Sequence, residues 1–244
     1  MSGRRIAIVI GTGEYDNQVL PDLQGPAQDA MRLTKVLQDQ NFGKYEVKMF
    51  VNSSSQSVNK AIEKFFAQTS RDDTVLFYYS GHGIRNRSGR LYFSTTDTNK
   101  DMLRSTAVSA SFVNEVMNES RSKNQIMLLD CCYSGSFASG LSDSRGRVVI
   151  TSSSAIQSSF EIKEENEAIS TSIFTRTMID GLETGEADLN SDGKITCFEL
   201  FNYIICKLED NQTIQTPKLW AFDLSGDIVV IESSRKVFRA KTQN

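Results

Sequence analysis

At 244 residues and 39% hydrophobic content, the chain can bury a full core and reads as one globular α/β unit. Its 27 basic against 30 acidic residues leave a net charge of −3, which argues against nucleic acid or an anionic membrane as partner. No stretch approaches 18 apolar residues, the run after Arg4 and Arg5 is too short for a signal peptide, and four cysteines are too few for a disulfide scaffold, so a cytoplasmic protein is expected.

Short apolar runs alternate with helical patterns. Ile6 to Ile10 reads as a first strand. Gly11 and Gly13 after it suggest a dinucleotide loop, but position 16 is Asp, and a lone G-x-G carries little weight. From Pro26, the residues Ala27, Ala30, Met31, Leu33 and Leu37 recur at helical spacing, and Gly43 suggests the stop. Tyr45 to Val51 is a second strand, and Val58, Ala61, Ile62, Phe65 and Phe66 stripe a second helix. Val75 to Tyr79 is a buried strand that ends at Ser80-Gly81-His82-Gly83. A turn over Arg85 to Arg90, a short strand Leu91 to Phe93 and a helix carrying Phe112, Val113, Val116 and Met117 lead to Ile126 to Leu129. Val148 to Thr151 is the next strand. Ile173, Phe174, Met178, Ile179 and Leu182 form one helical stripe, and Phe198, Phe201, Ile204, Ile205 and Leu208 another. Leu219 to Phe222 and Ile228 to Ile231 complete the strands. This repetition predicts a mostly parallel sheet of about six strands with helices on both faces.

The chemistry gathers where two buried strands end. Ile126 to Leu129 runs into Asp130-Cys131-Cys132-Tyr133-Ser134-Gly135, at the carboxyl edge where open α/β sheets keep their sites. A cysteine nucleophile needs a base, and His82 is the only histidine in the chain. A strand-end cysteine is ordinarily packing and a lone histidine ordinarily structural, but here both close buried strands that would lie on one sheet edge. Ser134 lacks the G-x-S-x-G elbow of a serine hydrolase, and one histidine with no C-x-x-C pair argues against zinc.

Ser80-Gly81-His82-Gly83 and Asp130-Cys131-Cys132-Tyr133-Ser134-Gly135 resemble the two catalytic motifs of the caspase-like cysteine proteases, nearest the metacaspase and bacterial caspase-like branches. Cys132 follows His82 by 50 residues, an interval known from caspases. In the usual metacaspase pattern, Ser stands at the place of Cys131 and His at the place of Tyr133. The resemblance extends from the first strand to about Ile231. It implies a caspase-like fold over residues 1–232, followed by a basic tail or linker at 233–244, and a cysteine endopeptidase acting on protein or peptide substrates. Cys132 would attack the carbonyl and His82 would exchange the proton. The backbone N–H groups of Gly83 and Cys132 are the natural oxyanion donors. The resemblance further implies that Asp29 and Asp130 line the pocket for the residue before the cut. That favours Arg and Lys, with Arg first because a guanidinium engages carboxylates bidentately. Maturation cleavage in the loop after the nucleophile would fall at Arg145 or Arg147. An activating partner or domain beyond this chain is compatible with the resemblance.

Two other classes stand beside this reading. One is a catalytically silent caspase-like binding module, and the other is a calcium-responsive regulatory domain. The chemistry itself requires no cofactor. Calcium enters through Asp188 to Glu199, which matches a twelve-residue EF-hand loop at positions 1, 3, 5, 6 and 12. The same residues also read as an Asp192-Gly193 turn followed by a Thr196-x-x-Glu199 capping box. That structural reading is preferred, because EF-hands come in pairs and no second loop is present, so no metal ligand is assigned. The acidic stretch Glu161 to Glu167 reads as a solvated loop.

Overall fold

A computed structural model describes residues 3–16, 20–137, 144–152, 161–162, 171–210 and 215–232 of the chain. The acidic stretch beyond residue 162 and the basic tail lie outside the described residues. In chain order the elements are β1 (Arg5–Gly11), α1 (Gly25–Gln38), β2 (Glu46–Val51), α2 (Ser55–Ala67), β3 (Thr74–Ser80), β4 (Gly83–Arg85), β5 (Leu91–Ser94), α3 (Leu103–Thr106) and β6 (Ala107–Ser109). Then come α4 (Ala110–Glu119), β7 (Asn124–Asp130), β8 (Arg147–Thr151), β9 (Glu161–Ile162), β10 (Thr171–Ser172), α5 (Ile173–Thr184), β11 (Lys194–Thr196), α6 (Cys197–Asp210), β12 (Lys218–Phe222) and β13 (Val229–Glu232).

The main sheet has the order β12-β8-β7-β3-β1-β2. All its pairings are parallel except that of the edge strand β12 with β8. The expected six-stranded, mostly parallel α/β architecture is therefore present. Side chains along a strand alternate between faces, so a continuous apolar run feeds two cores. Ala7, Val9, Leu76, Tyr78, Ile126 and Leu128 face a core completed by α1, α5 and α6. Ile8, Ile10, Phe77, Tyr79, Met127 and Leu129 face a second core completed by α2 and α4. No helix among the described residues is long and apolar enough to cross a membrane.

Two details differ from the periodicity. Helix α1 stops at Gln38, short of Gly43, because the Asp39 amide bonds the Val36 carbonyl and the Asp39 carboxylate takes the amide of Asn41 at 2.8 Å. An Asx turn ends this helix before the glycine is reached. In α6 the inward stripe is Cys197, Leu200, Tyr203, Ile204 and Leu208, which leaves Phe198 39% exposed. The sequence offers two overlapping stripes there, and the sheet selects the one containing Cys197.

Register sets the site. Gly11 pairs with Ser80 and Ser80 with Asp130, so the carboxyl ends of three neighbouring strands are level. The chain segments that follow them emerge side by side.

Candidate active site

Strand alternation separates the two adjacent cysteines. Met127, Leu129 and Cys131 share one face and one core; Cys131 is fully buried, and burial pushes its thiol well above the ordinary range. Cys132 is the first residue beyond that alternation and is partly exposed. A thiol must ionise to attack or to bind metal, and of these two only Cys132 has access to solvent. The next residue, Tyr133, takes a left-handed φ of 61° and starts a short turn over Ser134–Ser136. Its ring lies 4.9 Å beneath the Arg85 guanidinium carbon.

His82 stands on the loop between β3 and β4, and its backbone is clamped on both sides. Its carbonyl accepts from the Ser94 amide at 3.0 Å and the Ser94 hydroxyl at 2.6 Å, with the Tyr79 hydroxyl 3.0 Å away. Its amide donates to the Tyr15 hydroxyl at 3.2 Å, and the two rings lie 5.2 Å apart. Nε2 of the imidazole lies 2.9 Å from the Pro21 carbonyl oxygen. A carbonyl cannot donate, so Nε2 carries the hydrogen and, in the neutral ring, Nδ1 keeps a lone pair. Two contacts join this loop to the cysteine segment. The Gly81 amide donates to the Asp130 carbonyl at 3.3 Å, and a Cβ built on Gly83 would come within 2.1 Å of the Cys132 carbonyl oxygen. Any side chain at position 83 would force the two segments apart.

Asp29 and Asp130 come from different elements, the second turn of α1 and the end of β7, and both are buried. They line one cavity of about 40 Å³ together with Pro26, Ser80, Gly81 and Ser172. The Ser172 amide donates to Asp29 Oδ2 at 3.3 Å. Thr175 donates its hydroxyl to Asp130 Oδ2 at 2.6 Å, so the Tyr78 hydroxyl, 3.0 Å from Thr175, must donate to Thr175 in turn. Asp130 Oδ1 has no hydrogen-bond partner among the described residues. Burial raises the Asp130 pKa, an effect moderated by the hydrogen bond from the Thr175 hydroxyl. Burial also lifts Tyr78 well above its ordinary value, and the charges of Asp29 and Asp130 push it the same way. The site therefore holds two buried carboxylates beside a partly exposed thiol and an anchored imidazole.

The residues that hold this arrangement carry no sequence signal. Tyr15, Pro21, Ser94, Thr175 and Ser172 are common residue types, and each acts on a partner remote in the chain or across a loop. The two arginines suggested as cut sites part company. Arg145 is exposed. Arg147 opens β8 with its side chain fully buried, donating to Gln125, Asn114, Ser144 and Asn118 at 2.7–3.0 Å. Cleavage after Arg147 is therefore ruled out in the folded chain, because no protease can reach a residue that forms a strand and a buried network.

The family model described as caspase domain matches residues 4–228. Caspase-1 from Spodoptera frugiperda superposes with a TM-score of 0.71 at 15% identity, covering 96% of this chain and 92% of that one. A structure of a protein from Geobacter sulfurreducens gives a TM-score of 0.66 at 14% identity, covering 91% and 95%. At such identities the superpositions speak to fold alone. Among curated proteins, none matches by sequence. With its fold shared with a caspase and the family model spanning nearly its whole length, the chain belongs to the caspase-domain family of cysteine peptidases.

Proposed function

We propose that the chain is a cysteine endopeptidase that cuts after Arg and Lys using Cys132 and His82. The His82 imidazole takes the Cys132 proton through Nδ1, since Nε2 is committed to the Pro21 carbonyl. The thiolate adds to the scissile carbonyl, and the oxyanion is met by the amides of Gly83 and Cys132. His82 returns the proton to the departing amine, leaving a thioester. Water then attacks the thioester with His82 again as base, which releases the acid and restores the thiol.

The observation that carries the specificity is the meeting of Asp29 and Asp130 in one cavity beside the His82 loop, with Asp130 Oδ1 unfilled. Two buried carboxylates repel each other unless a cation joins them, so the cavity favours a basic side-chain tip over an acidic one. A planar guanidinium can bridge both carboxylates while an ammonium presents a point charge, which ranks Arg above Lys. The same preference applied in cis makes Arg145, exposed in the loop after the nucleophile, the site of self-processing.

The test is a fluorogenic peptide panel differing only in the residue before the cut, run on the wild type and on Cys132→Ala. Cleavage ordered Arg over Lys, negligible after Asp and absent in the variant, supports the proposal. Preferred cleavage after Asp overturns the specificity, and no cleavage of any peptide or protein favours a silent binding module.

A further inference from the structure

The loop between α5 and α6 has no part in this chemistry, and its residues are not all explained by its role as a turn. The reciprocal capping box is present: Glu199 Oε2 accepts from the Thr196 amide at 3.1 Å, and Thr196 Oγ1 accepts from the Glu199 amide at 3.3 Å. Asp192 Oδ1 takes the Lys194 amide at 2.9 Å, and Gly193 has a φ of +88° that a side chain would strain. Turn and cap thus account for Asp192, Gly193, Thr196 and Glu199. They do not account for Asp188.

Asp188 is 3% exposed. Its Oδ2 accepts from the Gly193 amide at 3.1 Å, so the carboxylate faces into the loop, while its buried Oδ1 has no hydrogen-bond partner among the described residues. A buried carboxylate oxygen left without a donor is costly, and a cation in the loop would remove that cost. The rest of an oxygen cage is at hand. Asn190 and Asp192 follow at alternate positions and are exposed, the Lys194 carbonyl occupies the seventh position, and Glu199 occupies the twelfth, reaching across to the Asn190 amide at 3.2 Å. Ile195, at the eighth position, is fully buried and pairs with Ile231 in the two-stranded β11–β13 ladder, which fixes the back of the loop.

We propose that Asp188 to Glu199 binds one calcium ion through Asp188, Asn190, Asp192, the Lys194 carbonyl and Glu199. As placed, no three carboxylate, thiol or imidazole groups among the described residues are gathered as a metal would need. Glu199 is engaged with the Asn190 and Thr196 amides, and it must trade part of that engagement for the ion. That exchange sets the affinity toward the weak end of such sites, with Kd about 10⁻⁵–10⁻³ M. The loop lies at the carboxyl end of α5, and Thr175, which meets Asp130, lies at the amino end. Calcium should therefore act first on stability, and the proposal does not depend on the peptidase reading.

The test is calorimetric titration of the metal-stripped full chain with calcium and with magnesium, together with thermal melting. One calcium per chain is expected, with a midpoint rise of about 5–10 °C at a hundredfold excess over Kd and a much smaller rise with magnesium. Glu199→Gln keeps a capping oxygen and Asp188→Asn keeps an acceptor for Gly193. Each should melt near the wild type in chelator yet lose at least about tenfold in calcium affinity. Absence of calcium uptake by the wild type at about 10 mM overturns the proposal. So does uptake that survives both substitutions, or an equal response to magnesium.

Discussion

Charged groups are buried at both edges of the main sheet, and they are treated in opposite ways. At the amino edge, Arg147 is wholly enclosed and has no carboxylate partner among the described residues. Four neutral acceptors, on Gln125, Asn114, Ser144 and Asn118, hold its guanidinium. Burial pushes its pKa down to about 10, so it stays charged at neutral pH. At the carboxyl edge, Asp130 is as deeply buried, but one of its oxygens finds no donor among the described residues and it borders a cavity. A saturated charge is a structural element. A charge with an open valence costs stability until something binds, and such groups mark working sites. The difference lies in the neighbours, because both side chains have nearly the same exposure.

The comparison is broken most completely at the dyad. Cys132→Ala should lower turnover about 10⁴-fold or more, and His82→Ala should abolish it, since no other histidine can substitute. Cys131→Ser should keep most activity per folded molecule while losing about 1–3 kcal/mol of stability, because the new hydroxyl lies in an apolar core. Equal inactivation at positions 131 and 132, read by active-site titration, would contradict the assignment from strand alternation.

Next in size come the two buried charges themselves. Asp29→Ala or Asp130→Ala should cut kcat/KM for Arg peptides by about 100-fold or more, with a smaller loss of folding stability than at Arg147. Arg147→Ala should do the reverse, costing about 3 kcal/mol or more of stability by leaving Gln125, Asn114 and Asn118 unpaired, while folded molecules retain their activity. Denaturant melts alongside peptide kinetics on the three variants separate the patterns. A stability loss at Asp130 as large as that at Arg147 would erase the contrast.

The smallest effect is a pH dependence. Burial raises the Asp130 pKa in the folded chain above its unfolded value, so folding favours the protonated acid. The resulting cost is absent below the unfolded value of about 4 and is complete once pH exceeds the raised folded value. Asp130→Asn should therefore melt higher than the wild type near pH 7, and the gap should close as pH falls below about 4. A gap that is constant with pH would mean that Asp130 ionisation carries no such cost.

The placement of the candidate site residues at one sheet edge is largely legible in the sequence. Ile6 to Ile10, Val75 to Tyr79 and Ile126 to Leu129 are apolar at every position, short runs of the kind found in strands buried on both faces. Parallel order then puts their carboxyl ends together, and with them His82, Cys132 and Asp130. Ambiguity entered where one sequence supports two geometries. Helix α6 carries two overlapping stripes, and only its seat against the sheet buries Leu200 and exposes Phe198. Arg147 directly follows a Ser- and Gly-rich stretch that reads as an accessible loop, and its enclosure depends on Asn114, Asn118 and Gln125, up to 33 residues away. The Tyr15 and Pro21 contacts that hold His82, and the Thr175 hydroxyl on Asp130, are likewise made between segments distant in the chain. Local pattern encodes which face of an element is apolar, because periodicity is a property of consecutive residues. It does not encode which polar groups meet, because a hydrogen bond between distant segments leaves no mark on the residues between them.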